Sequence, residues 1–402
     1  MTNLPQGWKM ETLGEILSSD KYSIKRGPFG SALKKSFFVE KGIRIFEQYN
    51  PINNDPHWKR YFISHEKFQE LEAFKATEGD LPISCSGTLG KIVELPKDTE
   101  MGIINQALLK IRLNNIKILN SYFIYYFNSP IMQEKILEST LGSAIKNIAS
   151  VKILKQIEIP LPPLKEQERI VGILDESFAK IDESIKILEQ DLLNLDELMQ
   201  SALQKAFNPL KDNAKENYKL PQSWEWKSLE EISENISAGG DKPKNCTESK
   251  TAKNQIPVYA NGVNNNGLVG YTDKATIIKP SLTISARGTI GFVCIRKEPY
   301  FPIVRLISLI PCENILCLHY LYFCLNFFIA KGEGSSIPQL TIPKFKSLQI
   351  PLPPLKEQEQ IAEHLDFVFE KAKALKELYT KELKDYEELK QSLLNKAFKG
   401  EL

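Results

Sequence analysis

Two long stretches of this chain carry apolar residues at alternating steps of four and three. In the first they fall at Leu174, Phe178, Ile181, Ile185, Leu188, Leu192, Leu195, Met199, Ala202 and Ala206. That spacing is a heptad seam and predicts a coiled coil or long bundle helix. The second is less regular: Leu365, Val368, Ala372, Leu375, Tyr379, Tyr386, Leu389 and Leu393, with Glu382 interrupting. Pro160, Pro162 and Pro163 exclude helix before Leu164 and impose an extended lead-in. Glu166 and Glu168 then sit in the first turn, where negative charge suits the helix dipole. A helix of about 40 residues spans roughly 60 Å at about 1.5 Å per residue.

The rest of the chain patterns differently. Short β-like runs at 42–46, 91–95, 108–112, 282–285 and 291–295 are separated by Gly, Asn and Pro turns. Helical segments follow at about 119–137 and 315–330, the latter apolar enough to be a buried helix. These stretches predict mixed α+β globules.

The chain is also written twice. The ten residues IPLPPLKEQE at 159–168 recur letter for letter at 350–359. The same 191-residue offset, without insertion, relates Leu174 to Leu365, Asp175 to Asp366, Phe178 to Phe369 and Lys205-Ala206-Phe207 to Lys396-Ala397-Phe398. A surface loop needs no fixed length over such a distance, but two paired rods do. The globules repeat more loosely. Leu4-Pro5-Gln6-Gly7-Trp8 matches Leu220-Pro221-Gln222-Ser223-Trp224, and ISCSGTLG at 83–90 matches ISARGTIG at 284–291. The offsets drift, so loop lengths differ. The order is globule (1–159), rod (160–210), globule (211–350), rod (351–402). An antiparallel pair of sister rods buries both stripes and relates the repeats by an approximate two-fold axis. A coiled coil between two separate chains is the alternative.

Composition adds little to this. Charged residues make up 25% of the chain and apolar ones 42%, values ordinary for a soluble globular protein. The first residues lack an apolar leader, and the apolar run near 316–330 is too short for a bilayer. Cys85, Cys246, Cys294, Cys312, Cys317 and Cys324 form no CxxC pair and no metal-ligand spacing. They read as reduced core residues and point to the cytoplasm. Net charge is only +2, but roughly 21 basic face 17 acidic residues in 1–159, and 17 face 12 in 211–350, whereas acidic residues outnumber basic ones in both rods.

Several polar, glycine-bearing loops could meet nucleic acid. Arg26, Ser31, Lys34 and Lys35 lie in RGPFGSALKK at 26–35 and offer cations, a hydroxyl and free amides suited to phosphate and groove contacts. Ser84, Ser86 and Thr88 form a hydroxyl cluster ahead of Lys91. In the second globule Lys242 and Lys244 follow a Gly-Gly pair. Asn261, Asn264, Asn265 and Asn266 carry amides able to pair with adenine edges, Arg287 suits guanine, and Thr289 sits beside it. For any one of these residues an ordinary turn or surface role is the competing reading.

Taken together, the doubled PLPPLKEQE, the GPFGSAL run at 27–33, the GD-x-x-x-S-x-SGT-x-GK run at 79–91, the Leu-Pro-x-x-Trp openings and the Lys-Ala-Phe rod ends resemble the specificity subunits of type I restriction-modification systems. The resemblance covers essentially the whole chain. It implies two target-recognition domains separated by an antiparallel helical pair, each reading half of a split DNA site. It implies that the helical regions space the half-sites and dock two methyltransferase subunits, with Leu164, Glu166 and Gln167 and their twins Leu355, Glu357 and Gln358 as candidate contacts. Translocase–nuclease subunits then join. S-adenosylmethionine, ATP and Mg²⁺ are expected on those partners, and no cofactor or metal on this chain. The second globule lacks the GPFGS loop, so the two half-sites should differ.

The residues agree with a non-catalytic role. No Gly-x-x-x-x-Gly-Lys-[Ser/Thr] loop exists: Gly90-Lys91 is followed by Ile92, and Cys85 stands where the first glycine belongs. No Asn-Pro-Pro-Tyr or Asp-Pro-Pro-Tyr motif for adenine methylation is present, Asn54-Asp55-Pro56-His57 being the nearest. Cys85 and His65 have no orienting context as a nucleophile–base pair. A fragment of a fused methyltransferase–nuclease, or a coiled-coil adaptor with two protein-binding heads, are the alternatives.

Overall fold

The computed structural model describes residues 4–138, 148–207, 220–329 and 340–402, and the two-residue strand at 332–333. The expected junction at 210/211 lies outside them, as does Ala330 at the end of the expected second helical segment. The chain divides into two units, residues 1–188 with 381–402 and residues 189–380.

In the first unit Lys9–Thr12 pairs antiparallel with Glu158–Leu161, Lys9 opposite Leu161. The proline-rich lead-in is therefore a strand of a two-stranded ribbon, where proline's missing donor is tolerated. A three-stranded antiparallel sheet has Leu108–Ile111 at its centre, flanked by Ile24–Arg26 and Leu81–Ser84. It packs on the helix Asn120–Asn128, whose Tyr122, Phe123, Tyr126 and Phe127 are buried. A five-stranded sheet, in which Ile43–Phe46 runs parallel to Gly102–Ile104, carries a second small core.

The second unit repeats the plan. Glu225–Ser228 pairs with Gln349–Leu352. A four-stranded sheet of Ser233–Ala238, Ile307–Pro311, Ser281–Ile284 and Val293–Arg296 packs on the helix Leu318–Phe328. A three-stranded sheet is built around Ile256–Tyr259.

The two long helices are Leu164–Phe207 and Leu355–Lys399. Each unit contains part of both, running antiparallel. In the first, Arg169 donates to the Leu402 carbonyl while Asp182 pairs with Lys390 at 2.5 Å. In the second, Asp196 pairs with Lys376 while Leu203 and Phe207 share a core with Ala362 and Leu365. The rods thus pair within one chain. The Lys-Ala-Phe ends explain themselves here. Phe398 lies edge-on to Tyr122 and Tyr126, with ring centroids 5.3 and 5.1 Å away. Phe207 packs on Tyr320 and Phe327 of the other head at 5.6 and 5.5 Å. Each head is closed by the start of its own rod and the end of the other.

Three expectations need correction. Residues 91–95 form only one isolated bridge, Ile83 to Ile92. Val93 donates to the Pro82 carbonyl at 3.2 Å, but Pro82 has no N–H to return, so the ladder stops. The segment 119–137 is two helices, because Pro130 forces Ser129 into an extended conformation with ψ 149°. In the first rod Leu174, Ile181, Leu188 and Leu195 are buried at seven-residue intervals as the seam requires, but the second seam is displaced. Leu375 and Leu389 are 38% and 44% exposed, and the stems of Lys376 and Lys390 fill the helix pair instead.

Candidate nucleic-acid interface

In the first head the strand Ile24–Arg26 ends at Gly27, which is wedged against the Asn105 backbone. A Cβ there would lie 1.8 Å from the Asn105 carbonyl oxygen. Gly27 also donates to Leu108 at 2.8 Å. The loop therefore leaves a fixed base. At its tip Phe29 is 71% exposed, followed by Gly30 at φ +59°. Ser31, Lys34 and Lys35 are exposed along two short turns. Arg26 is half-buried, its guanidinium 5.9 Å from the Phe29 ring and 3.5 Å from the Ile148 carbonyl.

The 84–91 loop is closed by its own backbone. Ser84 donates to Lys91, and Gly90 to Ser84, at 2.8 and 2.9 Å. Gly87 and Gly90 take φ +67° and +69°, values that only glycine adopts without strain. Ser84 is fully buried and accepts from the Lys91 N–H at 2.9 Å, so its hydroxyl shapes the loop and cannot face DNA. Asp80 is likewise internal, gripping Arg112 through two hydrogen bonds of 2.9 and 2.7 Å. Thr88 and Lys91 are exposed, and half-buried Ser86 accepts from Gln48 at 2.8 Å.

That last bond brings in residues the sequence did not single out. Tyr49, next to Gln48, stacks on Trp58 at 4.3 Å. Arg60 is fixed by Glu47 at 2.9 Å, a hydrogen bond that raises the guanidinium pKa. Lys35, Glu47, Arg60, Asn105 and Gln106 line one cleft of about 270 Å³. The cleft draws on four separated segments, 33–38, 45–47, 60–61 and 105–106, and the Gln48–Ser86 bond ties the 84–91 loop to the second of them; their cations, amides and aromatic faces are the chemistry that phosphates and base edges select.

The second head uses the same frame with other side chains. Gly239 is jammed as Gly27 is, a Cβ falling 2.6 Å from the Ile303 nitrogen, and it donates to Leu306 at 2.8 Å. Lys242 and Lys244 are exposed on the loop that follows. Ser285 donates to Phe292 and Gly291 to Ser285, at 2.9 and 3.0 Å, with Gly288 and Gly291 at φ +70° and +80°. Arg287 is exposed where the first head has Ser86; Thr289 is half-buried in a short strand. Asn264, Asn265 and Asn266 are exposed, the last two in the left-handed conformation that asparagine tolerates. Asn261 differs from them. Its Oδ1 accepts from Ala286 at 2.8 Å and its Nδ2 donates to Val304 at 2.6 Å, so it joins loops rather than presenting an amide.

The glutamines proposed for partner contact are also internal. Gln167 is fully buried, accepting from the Leu119 N–H at 2.8 Å and donating to the Lys117 and Pro162 carbonyls, both at 2.9 Å. Gln358 does the same with Cys317, Ile315 and Pro353 at 2.9, 2.9 and 2.8 Å. Each clamps the entrance of a head helix to the lead-in of its rod, and neither can touch a partner. Leu164, Glu166, Leu355 and Glu357 are half-buried. Glu166 holds Arg169 at 2.7 Å and Glu357 accepts from Trp224 at 3.1 Å.

The family model for the type I restriction modification DNA specificity domain matches residues 5–192 and again 221–384. The chain belongs to this family. A Mycoplasma pneumoniae protein named as a type I specificity subunit is 33% identical over 221 residues, 54% of this chain and 56% of that protein. The chain thus spans little more than half of that relative. A Methanocaldococcus jannaschii protein named as the MjaX specificity subunit is 25% identical, over 85% of this chain and 82% of its own. Among solved structures, a chain from work on assembly and conformational transition of the type I R-M system superposes over 100% of both chains with TM-score 0.81 at 21% identity. The HsdS subunit of Thermoanaerobacter tengcongensis covers 99% of this chain and 98% of its own, with TM-score 0.63 at 20% identity. These likenesses establish the fold. Specificity subunits are non-catalytic, and among the described residues no group of acidic, His or Cys side chains could hold a metal ion. No helix among them is long and apolar enough to cross a membrane.

The rods of this specificity subunit carry one more feature, which lies outside the seam. Ile187 and Leu389 are 56% and 44% exposed in the first unit, Leu198 and Leu378 53% and 55% in the second. Ile187 and Leu378, and likewise Leu198 and Leu389, are equivalent under the repeat. The seam does not cover them, although solvent-facing rod positions are otherwise mostly charged.

Proposed function

We propose that this chain reads a split, asymmetric DNA target through two unlike heads and docks two methyltransferase subunits on its rods. The observation that carries this is that the two heads share one backbone frame but present different side chains on it. Gly27 and Gly239 make the same close backbone approach, and the loops after Ser84 and Ser285 share one hydrogen-bond pattern. Yet Phe29, Lys34, Lys35, Ser86 and Gln106 stand on one frame and Lys242, Lys244, Arg287 and the 264–266 asparagines on the other. Phosphate contacts by the lysines would set affinity and its salt dependence, and edge contacts the sequence. The repeated apolar pairs on the rods suit two copies of one partner, since equal surfaces take equal ligands. Restriction–translocase subunits would join that assembly. S-adenosylmethionine, ATP and Mg²⁺ belong with those partners, and the unpaired thiols fit a reducing cytoplasm.

The test is a DNA-binding titration of the purified chain with and without its methyltransferase at physiological salt, with labelled S-adenosylmethionine present. Sequence-specific binding and methyl transfer are expected only with the methyltransferase. Nanomolar specific binding by the chain alone would contradict the shared surface. Methyl transfer by the chain alone would establish an enzyme, and failure to bind DNA in either form would leave a protein adaptor.

A further inference from the structure

In the second head Val304 and Arg305 are consecutive residues in the left-handed region, at φ +53° and +59°. For a β-branched residue such as Val304 this is a true outlier, and glycine or asparagine would fit with less strain. Packing does not explain the choice, because Val304 is 51% exposed and Arg305 is also exposed. Instead the turn is pinned from several sides. Val304 donates to Gly240 and Arg305 to Gly239, both at 2.8 Å. Ile303 donates to Tyr259 at 2.8 Å, and Asn261 grips the Val304 carbonyl. Through its other end Asn261 ties the same turn to Ala286, next to Arg287. Gly27 and Gly239 donate to Leu108 and Leu306 respectively, so the matching turn of the first head is Asn105-Gln106-Ala107. That turn has no positive φ, and Asn105 accepts from Ala107 at 3.1 Å.

Strain held by its surroundings at exposed side chains marks a place where side-chain direction matters more than stability. Among the described residues Arg305 forms no ion pair or side-chain hydrogen bond. We infer that the Val304–Arg305 turn is the base-contacting tip of the second head, with Arg305 directed at a guanine edge in the major groove and Asn261 as its positioning residue. A phosphate contact tolerates many directions and needs no such pinning. A two-pronged guanine contact does not tolerate them. The inference rests on the DNA-reading function proposed above and assigns the residues that perform it in one head.

The experiment is competition binding of the full chain, assembled with its methyltransferase, to the natural target and to all single-base variants of it. Arg305→Ala should lower discrimination by about tenfold or more at one position of one half-site. Arg305→Lys should not restore it, because an ammonium lacks the guanidinium fork. Asn261→Ala should relax the same position while Arg305 is intact, and Val304→Asn, which keeps the turn, should not. A uniform loss of affinity for all sequences with a shallower salt dependence would make Arg305 a phosphate contact and overturn the inference. So would unchanged discrimination in Arg305→Ala. If the wild-type assembly shows no preference for any sequence, the proposed function itself fails first.

Discussion

Replacing Gln167 by alanine should destabilise the first unit severely while leaving the exposed surface of the rod untouched. The side chain is fully buried and satisfies three backbone groups, the Leu119 N–H and the carbonyls of Lys117 and Pro162. Removing it leaves those groups without this partner, at about 1–3 kcal/mol for each that stays unpaired, and opens a cavity as well. Water entering that cavity would recover part of this, so the net loss is set at about 3–5 kcal/mol. Gln358→Ala should cost a similar amount in the second unit through Cys317, Ile315 and Pro353. The two sites share no partner, so the double variant should show the sum. Denaturant unfolding of the purified chain reads the magnitude, and hydrogen exchange at the Leu119 and Cys317 amides reads the location. If Gln167→Ala keeps full stability and amide protection but loses methyltransferase binding, the clamp reading is wrong and the residue is a partner contact after all.

Other substitutions test other joints. Phe398→Ala and Phe207→Ala should each cost about 3–5 kcal/mol, and each should loosen the head opposite its own repeat, detected as faster exchange at Tyr122 or Tyr320 respectively. Gly27→Ala should cost about 3 kcal/mol or more in thermal or chemical unfolding, since its Cβ would enter the Asn105 carbonyl, whereas Gly30→Ala, with open space but φ +59°, should cost about 1 kcal/mol. Burial pushes the Cys85 thiol up to about 11, so at neutral pH it should resist alkylation until the head unfolds. Labelling of Cys85 at native-state rates would place it outside the core.

The parts legible in sequence were those set by local rules. Heptad spacing and an uninterrupted 191-residue repeat reveal paired helices, and proline marks their starts. Polarity misplaces the second seam, because Leu375 and Leu389 look like core while the stems of Lys376 and Lys390 pack the helix pair. Which head each Lys-Ala-Phe end enters is a matter of long-range topology, on which periodicity is silent. The loop residues were found by type, but type does not separate a hydroxyl facing solvent from one folded inward. Ser84 and Ser86 are two positions apart and point to different fates. Asn261 and Asn264 look alike in sequence and do different work. The strain at Val304 and Arg305 has no sequence signal, since neither residue favours that conformation.

The central claim is that the heads are independent readers of two half-sites. It is tested most directly by mapping methylated adenines in cells carrying the methyltransferase and either this chain or a hybrid whose second head comes from another family member. One half of the methylated sequence should change and the other should stay. A target that changes in both halves, or in neither, would contradict the account.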